Sequence, residues 1–266
     1  MLLRKAKPKS WIIRLNDASR KNRTWKSVFR DALLPGLINP AYIYRDELFR
    51  LIAPGTTWLD VGCGHDLICA WLENSDEDQQ CLASRCEMVA GIDASRRDVE
   101  KHRFLTHKFV GDIQSLSLPD ASFSFFTAQM VIEHLEDPPK LFREAYRMLK
   151  PGGRFLLITP NYLYYQIFAA SLIPDEFRKK LVAHLGSRED SDIFPTRYRL
   201  NTRKKVTRLA QAVGFEIESL TMLEMTPQFG KIPPLFVMEV LLSWLLRRSW
   251  MSNFRADIMA VLRKPA

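Results

Sequence analysis

Two short segments carry residues that could bind a small molecule through the backbone and through a carboxylate. The first is WLDVGCGHD at residues 58–66, in which Gly62 and Gly64 have no Cβ and allow a ligand to approach the chain closely. The second is GIDAS at residues 91–95, which places Asp93 at the end of a predicted strand. A carboxylate in that position of a nucleotide-binding fold accepts hydrogen bonds from ribose hydroxyls. The two segments therefore predict a site for a ribose-containing molecule.

The elements that position these segments follow from the hydrophobic pattern, in which short apolar runs alternate with helical periodicity. Repeated strand–helix units predict an α/β fold with a parallel sheet covered on both faces. The polar residues 74–86 are interpreted as an insertion after the first helix of this series, and residues 160–200 as a long connection between the fifth strand and the next helix. The predicted strands are 57–61, 88–92, 108–110, 123–128, 153–159, 215–223 and 256–263, and the predicted helices are 10–34, 41–53, one from about Asp66, 95–105, 138–149 and 202–213.

The net charge of the 266-residue chain is +9, and the whole excess lies near the N-terminus. Residues 1–30 hold ten Lys/Arg and one acid, whereas the other 236 residues hold 29 of each sign. The body is therefore not a basic nucleic-acid-binding domain. Residues 1–30 contain no long apolar stretch, which argues against a secretory signal peptide. The four cysteines lack zinc-type spacing and are interpreted as free thiols in a reducing compartment, which predicts a cytoplasmic protein.

Three further motifs follow the first two segments in order: GD at 111–112, FSFFTAQMVIEHL at 123–135 and LKPGGRFLLITPN at 149–161. This order resembles that of the class I S-adenosylmethionine-dependent methyltransferases. The resemblance implies a Rossmann-like, seven-stranded, mostly parallel sheet with an antiparallel last strand and helices on both faces. It also implies S-adenosyl-L-methionine as the cofactor. The predicted domains are a basic helical arm at residues 1–40 and a methyltransferase domain at residues 41–266.

The same resemblance assigns the cofactor contacts. Asp93 would bind the ribose hydroxyls, and the carboxylate of Asp112 would accept a hydrogen bond from the adenine amine. The sequence departs from the family at Asp66, where a third glycine is common, and Asp66 is interpreted as a helix N-cap. The residues expected at the cofactor are Asp60, Gly62, Cys63, Gly64, Asp93, Ala94, Asp112, Ile113, Gln129 and Met130.

Transfer of a methyl group to a hydroxyl requires a base that removes the hydroxyl proton. His134 follows the fourth predicted strand, at the sheet edge where ligands bind, and is the candidate base. Glu133 is an alternative base or a partner that orients the imidazole, and a purely structural histidine also stays open. One Glu–His pair does not define a metal site, so no metal is predicted. The candidate acceptor contacts are Tyr162, Tyr165, His184, Arg197 and Tyr198.

Residues 232–250 predict an apolar helix before the last strand. Glu239, Ser243 and Arg247 recur every four residues and form one narrow polar stripe. The apolar run is shorter than the ~20 residues that span a bilayer. Three alternatives stay open for this helix: packing on the sheet, a dimer interface, or the headgroup region of a membrane. The basic residues 1–30 favour an anionic membrane surface.

The sequence therefore predicts an enzyme that methylates a small-molecule or lipid-linked acceptor at a hydroxyl oxygen, in the cytoplasm and peripheral on the inner face of a membrane. A second hypothesis makes RNA or protein the acceptor, with the basic arm as an electrostatic guide. The balanced charge of the body argues against nucleic acid. A third hypothesis is a protein that binds S-adenosylmethionine without catalysis, and the intact glycines, Asp93 and Asp112 argue against it. The sequence does not predict an oligomeric state.

Overall fold

The computed structural model describes residues 24–171 and 195–266. The chain divides into two units. The α/β unit comprises residues 38–225 and 248–266, and the helical unit includes the described residues 24–37 and 226–247. The predicted helix at 10–34 is described only from Trp25, and His184 lies outside the described residues.

The strands of the α/β unit form one seven-stranded sheet, as predicted. The order is 3-2-1-4-5-7-6 in chain numbering, and only the last strand runs antiparallel to its neighbours. This arrangement confirms the predicted Rossmann-like fold class. The strands are β1 Thr56–Val61, β2 Cys86–Asp93, β3 His107–Val110, β4 Phe123–Gln129, β5 Leu149–Pro160, β6 Glu216–Leu223 and β7 Asp257–Arg263.

The helices of the described residues include two from the helical unit, α1 and α8, and six from the α/β unit. Short 3-10 helices follow β4 at Ile132–His134 and precede β7 at Ser249–Phe254. The α-helices are α1 Trp25–Leu33, α2 Pro40–Leu51, α3 Ser75–Arg85, α4 Arg96–Lys101, α5 Pro138–Met148, α6 Tyr165–Ser171, α7 Arg203–Val213 and α8 Pro233–Leu246.

Both faces of the sheet are buried, because successive side chains of a strand point to opposite sides. Leu59 of β1 belongs to the apolar cluster that contains Phe142 of α5. Its neighbour Trp58 belongs to the opposite cluster, which contains Leu48 of α2. The continuous burial of β1 is typical of a parallel strand covered on both faces. The sheet is thus a rigid frame, and the carboxyl ends of its strands hold the loops that follow them.

The prediction of a helix from about Asp66 is wrong, and so is the interpretation of residues 74–86 as an insertion. Residues 62–74 form a loop, and the polar segment that follows is itself helix α3. The buried residues of α3 are Ser75, Gln79 and Leu82, so its inner face is largely polar and gives little hydrophobic periodicity. Asp66 is not a helix cap, because no helix begins in this loop. Its Oδ1 instead accepts a hydrogen bond from Gln79 Nε2 at 3.3 Å.

The loop 62–74 contributes apolar side chains to the core, as the predicted helix would have done. Leu67, Ile68 and Leu72 are buried in the cluster beneath α2. The backbone N–H of Leu67 donates to Gln79 Oε1 at 2.7 Å, which ties the loop to α3. The spacing of these leucines and isoleucine imitates a helix in the sequence, although the chain does not form one there.

The helical unit is held by an apolar contact between α1 and α8. Leu34, Phe236 and Val240 form its buried centre. The ring of Trp25 meets the ring of Phe236 edge to face, with centroids 6.0 Å apart. Within the described part of the chain, no helix combines the length and hydropathy needed to cross a membrane.

Candidate active site

A cavity of about 600 Å³ lies at the carboxyl ends of β1, β2, β3, β4 and β5. This edge is where open α/β sheets bind ligands. Its lining combines glycine-containing turns with several carboxylates and the imidazole of His134. Nine of the residues predicted from the sequence line this cavity: Gly62, Gly64, Asp93, Ala94, Asp112, Ile113, Met130, Glu133 and His134.

Asp93 is held in place by the turns around it. Its Oδ2 accepts the backbone N–H of Gly64 at 3.0 Å, and its Oδ1 accepts that of Ser95 at 2.8 Å. An ionised carboxylate has about four acceptor positions, so each oxygen keeps capacity for a ligand hydroxyl. The carboxylate therefore joins the ends of β1 and β2 and still offers acceptors at the cavity.

The two glycines of the first segment serve different purposes. Gly62 has φ +67°, and a Cβ there would lie 2.2 Å from a methyl carbon of Val131, which also lines the cavity. Any side chain at Gly62 would therefore push the loop away from the residues that follow β4. Gly64 has φ +51°, and a Cβ there would meet no atom within 4 Å. The space beside Gly64 is open and available to a ligand.

The cavity lining also contains Asp112, Ile113 and Met130. Asp112 is exposed, and its Oδ1 accepts the backbone N–H of Gln114 at 2.9 Å. Met130 has φ +53°, an unfavourable conformation for a residue with a side chain, and its N–H donates to Ile158 O at 2.9 Å. Such a strained backbone is typical of functional sites and places Met130 at the cavity wall.

Three residues predicted at the cofactor, Asp60, Cys63 and Gln129, do not line the cavity. Asp60 is buried and accepts a hydrogen bond from Thr127 Oγ1 at 2.5 Å. Burial raises the pKa of Asp60 to about 7, the bond from Thr127 opposes the rise, and the charge of Asp93 adds to it.

The other two lie beside the cavity loops. The thiol of Cys63 is buried, which raises its pKa well above the usual range. The amide of Gln129 donates to Cys69 Sγ at 3.5 Å. The side chains of Cys63 and Gln129 therefore support the loop after β1 and the end of β4.

Glu133 is a buried carboxyl that also lines the cavity. It lies in the 3-10 helix after β4, and its Oε2 accepts a hydrogen bond from Thr159 Oγ1 at 2.9 Å. Burial raises the pKa of Glu133 to about 7, and hydrogen bonds from its own backbone and from Thr159 offset part of the rise. A carboxyl with this pKa changes charge near neutral pH and is suited to acid–base chemistry.

His134 is adjacent to Glu133 and has a defined tautomer. Its Nδ1 lies 3.2 Å from the carbonyl oxygen of Pro195. A carbonyl only accepts hydrogen bonds, so Nδ1 of the neutral ring carries the proton and Nε2 has the lone pair. Nε2 lies 3.9 Å from Glu133 Oε1. The pair thus presents an imidazole that can accept a proton and a carboxylate that can stabilise the resulting imidazolium.

The residues predicted to contact the acceptor are not brought to the cavity lining. The rings of Tyr162 and Tyr198 have centroids 5.7 Å apart, and the ring of Tyr165 packs on Tyr164 at 4.6 Å. Arg197 forms an ion pair with Glu136 at 2.5 Å. The fifth predicted contact, His184, lies outside the described residues.

The segment around Arg197 nevertheless supports the site through the backbone. The N–H groups of Arg197 and Tyr198 donate to Glu133 O at 2.7 and 3.1 Å. Asn201 is fully buried and donates through Nδ2 to Thr159 Oγ1 at 2.6 Å. The sequence predicts a helix at 202–213, and the structure has α7 there with Thr202 as its N-cap. The same reasoning missed the role of Asn201, because nothing in the local pattern marks a side chain buried beneath a distant strand.

A further carboxylate at the cavity, Asp98, was also missed. Its backbone N–H donates to Ser95 Oγ at 3.4 Å, so it lies in the first turn of α4. The available signal was the serine cap three residues earlier, which fixes where the helix begins. In residues 24–171 and 195–266, no group of three or more His, Cys, Asp or Glu could hold a metal ion.

The residues of the cavity fit S-adenosylmethionine. Asp93 offers acceptors for ribose hydroxyls, and the exposed Asp112 offers one for an exocyclic amine. The open space beside Gly64 admits a ligand close to the backbone. The volume of about 600 Å³ lies within the range of small-molecule sites.

Comparison with known proteins agrees with this geometry. Residues 38–220 match the model of a family described as a methyltransferase domain. A probable S-adenosylmethionine-dependent methyltransferase of Mycolicibacterium smegmatis is 27% identical over 196 residues, which are 70% of this chain and 63% of that protein. The ubiquinone biosynthesis O-methyltransferase of Coxiella burnetii is 27% identical over 140 residues, 48% of this chain and 55% of that protein.

The solved structures show the same fold. An S-adenosylmethionine-dependent methyltransferase of Mesorhizobium loti superposes with a TM-score of 0.52 at 18% identity, covering 82% of this chain and 96% of that one. Among the first curated relatives, the matches span 31%, 63% and 55% of the relatives' own lengths.

Proposed function

This chain belongs to the class I S-adenosylmethionine-dependent methyltransferases, and from that premise we propose that it transfers a methyl group to a hydroxyl oxygen of a small-molecule or lipid-linked acceptor. The observation that carries the proposal is that one cavity holds both the glycines with Asp93 and the Glu133–His134 pair. A cofactor held by the first group would have its reactive end in the same space as a proton acceptor.

When bound, S-adenosylmethionine supplies a methyl group on a sulfonium, whose carbon–sulfur bond breaks towards sulfur as the bond to the acceptor oxygen forms. The protein has two tasks in this reaction. Gly62, Gly64 and Asp93 fix the position of the cofactor, and the cavity walls bring the acceptor into line with it. Alignment of two reactants in this way lowers the barrier by removing the entropic cost of their encounter.

His134 removes the proton from the acceptor hydroxyl. Its Nε2 carries the lone pair, because Nδ1–H is directed to Pro195 O at 3.2 Å. Glu133 Oε1, 3.9 Å from Nε2, stabilises the imidazolium once the proton has moved. A relative named for O-methylation in ubiquinone biosynthesis supports oxygen as the methylated atom.

The acceptor class includes lipid-linked molecules, and for these the reaction takes place at the cytoplasmic surface of a membrane. The basic residues 1–30 and the apolar residues 232–250 support this location. Tyr162, Tyr165, His184, Arg197 and Tyr198 remain the proposed acceptor contacts. Within the described part of this set, the backbone N–H groups of Arg197 and Tyr198 donate to Glu133 O. These two bonds support a place for Arg197 and Tyr198 near the base.

Label transfer tests the proposal. The purified protein is incubated with methyl-labelled S-adenosylmethionine and a cell extract, and the products are divided into organic, small aqueous and macromolecular fractions. We expect label in the organic fraction for a lipid-linked acceptor, or in the small aqueous fraction for a soluble one. Label in RNA or protein would contradict the proposed acceptor class. The absence of both label transfer and cofactor binding would contradict the proposed activity.

A histidine substitution tests the base. His134→Gln should lower the turnover number by about 10²–10⁴-fold, the usual contribution of a positioned base, and leave cofactor binding unchanged. His107→Gln is the matched control, because this histidine is exposed on β3. Equal turnover of the two variants would exclude His134 as the base.

A further inference from the structure

Helix α8 buries its two polar side chains, Glu239 and Ser243, and exposes several of its apolar ones. Met238, Leu241 and Trp244 are 55%, 48% and 40% exposed, and their spacing places them on one face of the helix. Glu239 and Ser243 are buried. A surface helix of a protein in water has the opposite arrangement. The exposed face of α8 is therefore suited to an apolar environment.

The buried Glu239 has a structural purpose that explains its position. Its Oε2 accepts the backbone N–H groups of Gln228 and Phe229 at 2.8 and 2.9 Å. These bonds hold the segment before α8 against the helix and fix which face is turned outward. The helix contains polar residues, but it buries them. The exposure of apolar side chains on α8 is thus specified by the sequence.

The second helix of the unit exposes apolar side chains as well. Trp25 and Val28 of α1 are exposed one turn apart, whereas Phe29 and Leu33 pack on the buried centre of the unit. Both helices therefore combine a closed inner contact with an apolar outer surface. Large exposed apolar surfaces mark sites of interaction with proteins or membranes.

The net charge of the segments that make up this unit favours an anionic bilayer over a second copy of the chain. Residues 1–37 and 226–247 together carry twelve basic and three acidic residues, a net charge of +9. Anionic lipid attracts Lys and Arg close to the membrane surface, whereas pairing two such units would bring like charges together. The combination of an apolar face and basic neighbours is typical of helices that lie in the membrane interface.

We propose that the helical unit docks on an anionic membrane by inserting Met238, Leu241 and Trp244 among the lipid headgroups, with α8 parallel to the membrane plane. The 14 residues of α8 are about 21 Å long, which is too short to span the hydrocarbon core and is sufficient for an interfacial helix. This inference rests on the proposed function, because it names the surface from which a lipid-linked acceptor would be reached.

Vesicle flotation tests the docking surface. The full chain is mixed with vesicles of phosphatidylcholine alone or of phosphatidylcholine with phosphatidylglycerol, and the floating fraction is measured at low and high salt. We expect flotation with the anionic vesicles and a marked decrease at high salt. Trp244→Gln should lower the partition coefficient by about tenfold or more, since a large apolar side chain no longer leaves water.

The matched control is Trp71→Gln, because Trp71 is also an exposed tryptophan, 61% exposed, and lies in the α/β unit. It should float like the unchanged protein. Equal losses in the two variants, or no flotation of a protein that binds S-adenosylmethionine, would overturn the docking surface and leave the proposed function standing. Flotation without cofactor binding would overturn the proposed function alone.

Sedimentation of the same samples tests the alternative that a second copy of the chain covers this face. A chain that is dimeric without vesicles, becomes monomeric on Trp244→Gln and does not float would show that a second copy covers this face, which overturns the membrane proposal.

Discussion

The two sides of the cavity are built in different ways. The cofactor side, formed by Gly62, Gly64 and Asp93, is assembled from the turns that end two neighbouring parallel strands. The base side, formed by Glu133 and His134, depends on the distant residues Thr159 and Pro195. In the first arrangement the pairing of β1 with β2 brings two short motifs together, whereas the second also depends on contacts with β5 and with Pro195 that no short motif indicates.

The carboxyl groups of the two sides differ in the same manner. Asp93 accepts the backbone N–H of Ser95 in the turn that follows it and that of Gly64 in the turn after β1. Glu133 accepts one hydroxyl from β5 and is buried, which raises its pKa to about 7. The comparison teaches that the cofactor side is a preformed acceptor, whereas the base side is a titrating group whose charge depends on its surroundings.

The largest change in cofactor affinity is expected from removing the carboxylate of the cofactor side. Asp93→Ala should weaken the binding of S-adenosylmethionine by roughly 100-fold, since hydrogen bonds to charged groups are worth about 1.5–3 kcal/mol each. Isothermal titration calorimetry measures this affinity. Asp46→Ala is the control, because Asp46 is a carboxylate on α2 that pairs with Arg45. Unchanged binding in Asp93→Ala would contradict the cofactor assignment.

The next effect concerns the charge of the base side. The pKa of Glu133 is about 7 in the folded chain against 4.5 for an ordinary glutamic acid, so folding favours the protonated form. Its contribution to stability is fully present below about pH 4.5 and is lost as the pH rises through about 7. The side chain of the Glu133→Gln variant does not ionise, so the variant does not lose this stability as the pH rises. The unfolding free energy of the variant relative to the unchanged protein should rise by about 3 kcal/mol between pH 4.5 and pH 8.

The same variant separates stability from activity. Glu133→Gln should lower the turnover number about tenfold or more, because glutamine cannot stabilise the imidazolium of His134. Binding of S-adenosylmethionine should stay within about twofold, as expected for a side chain that stabilises the base and not the ground-state cofactor. Denaturant unfolding at several pH values and steady-state kinetics check the two statements. A stability difference that does not vary with pH would contradict the assigned titration.

The smallest effect is a shift of a pH profile. Thr159→Val removes the hydroxyl that lowers the pKa of Glu133, so the pH at which turnover reaches half its maximum should rise by about half a unit to one unit. Thr127→Val is the matched control, since Thr127 donates in the same way to another buried carboxyl, Asp60. Both variants can be followed by turnover between pH 6 and pH 9. Equal shifts in the two variants would remove the link between Thr159 and the base.

The sequence predicts the sheet and the cofactor side because their signals are local. Alternating apolar runs mark the strands, and Gly62, Gly64 and Asp93 lie in the turns that they form. The helix α3 was missed because its buried face contains Ser75 and Gln79, so hydrophobic periodicity could not show it. The support of the base side was missed for a different reason. Asn201 reaches Thr159 across 42 residues, and no pattern within either segment indicates that contact.

The position of β7 has a consequence for how the protein is made. β7, residues Asp257–Arg263, lies between β5 and β6 and is the only neighbour of β6 among the strands that the structure describes. During synthesis on the ribosome, every other strand is therefore complete before the one that joins β6 to the sheet emerges. Until then β5 exposes an unpaired edge, which is a surface prone to association with other chains. The sheet is thus completed late in synthesis, when β7 has emerged. Chaperones that shield strand edges would act before this stage.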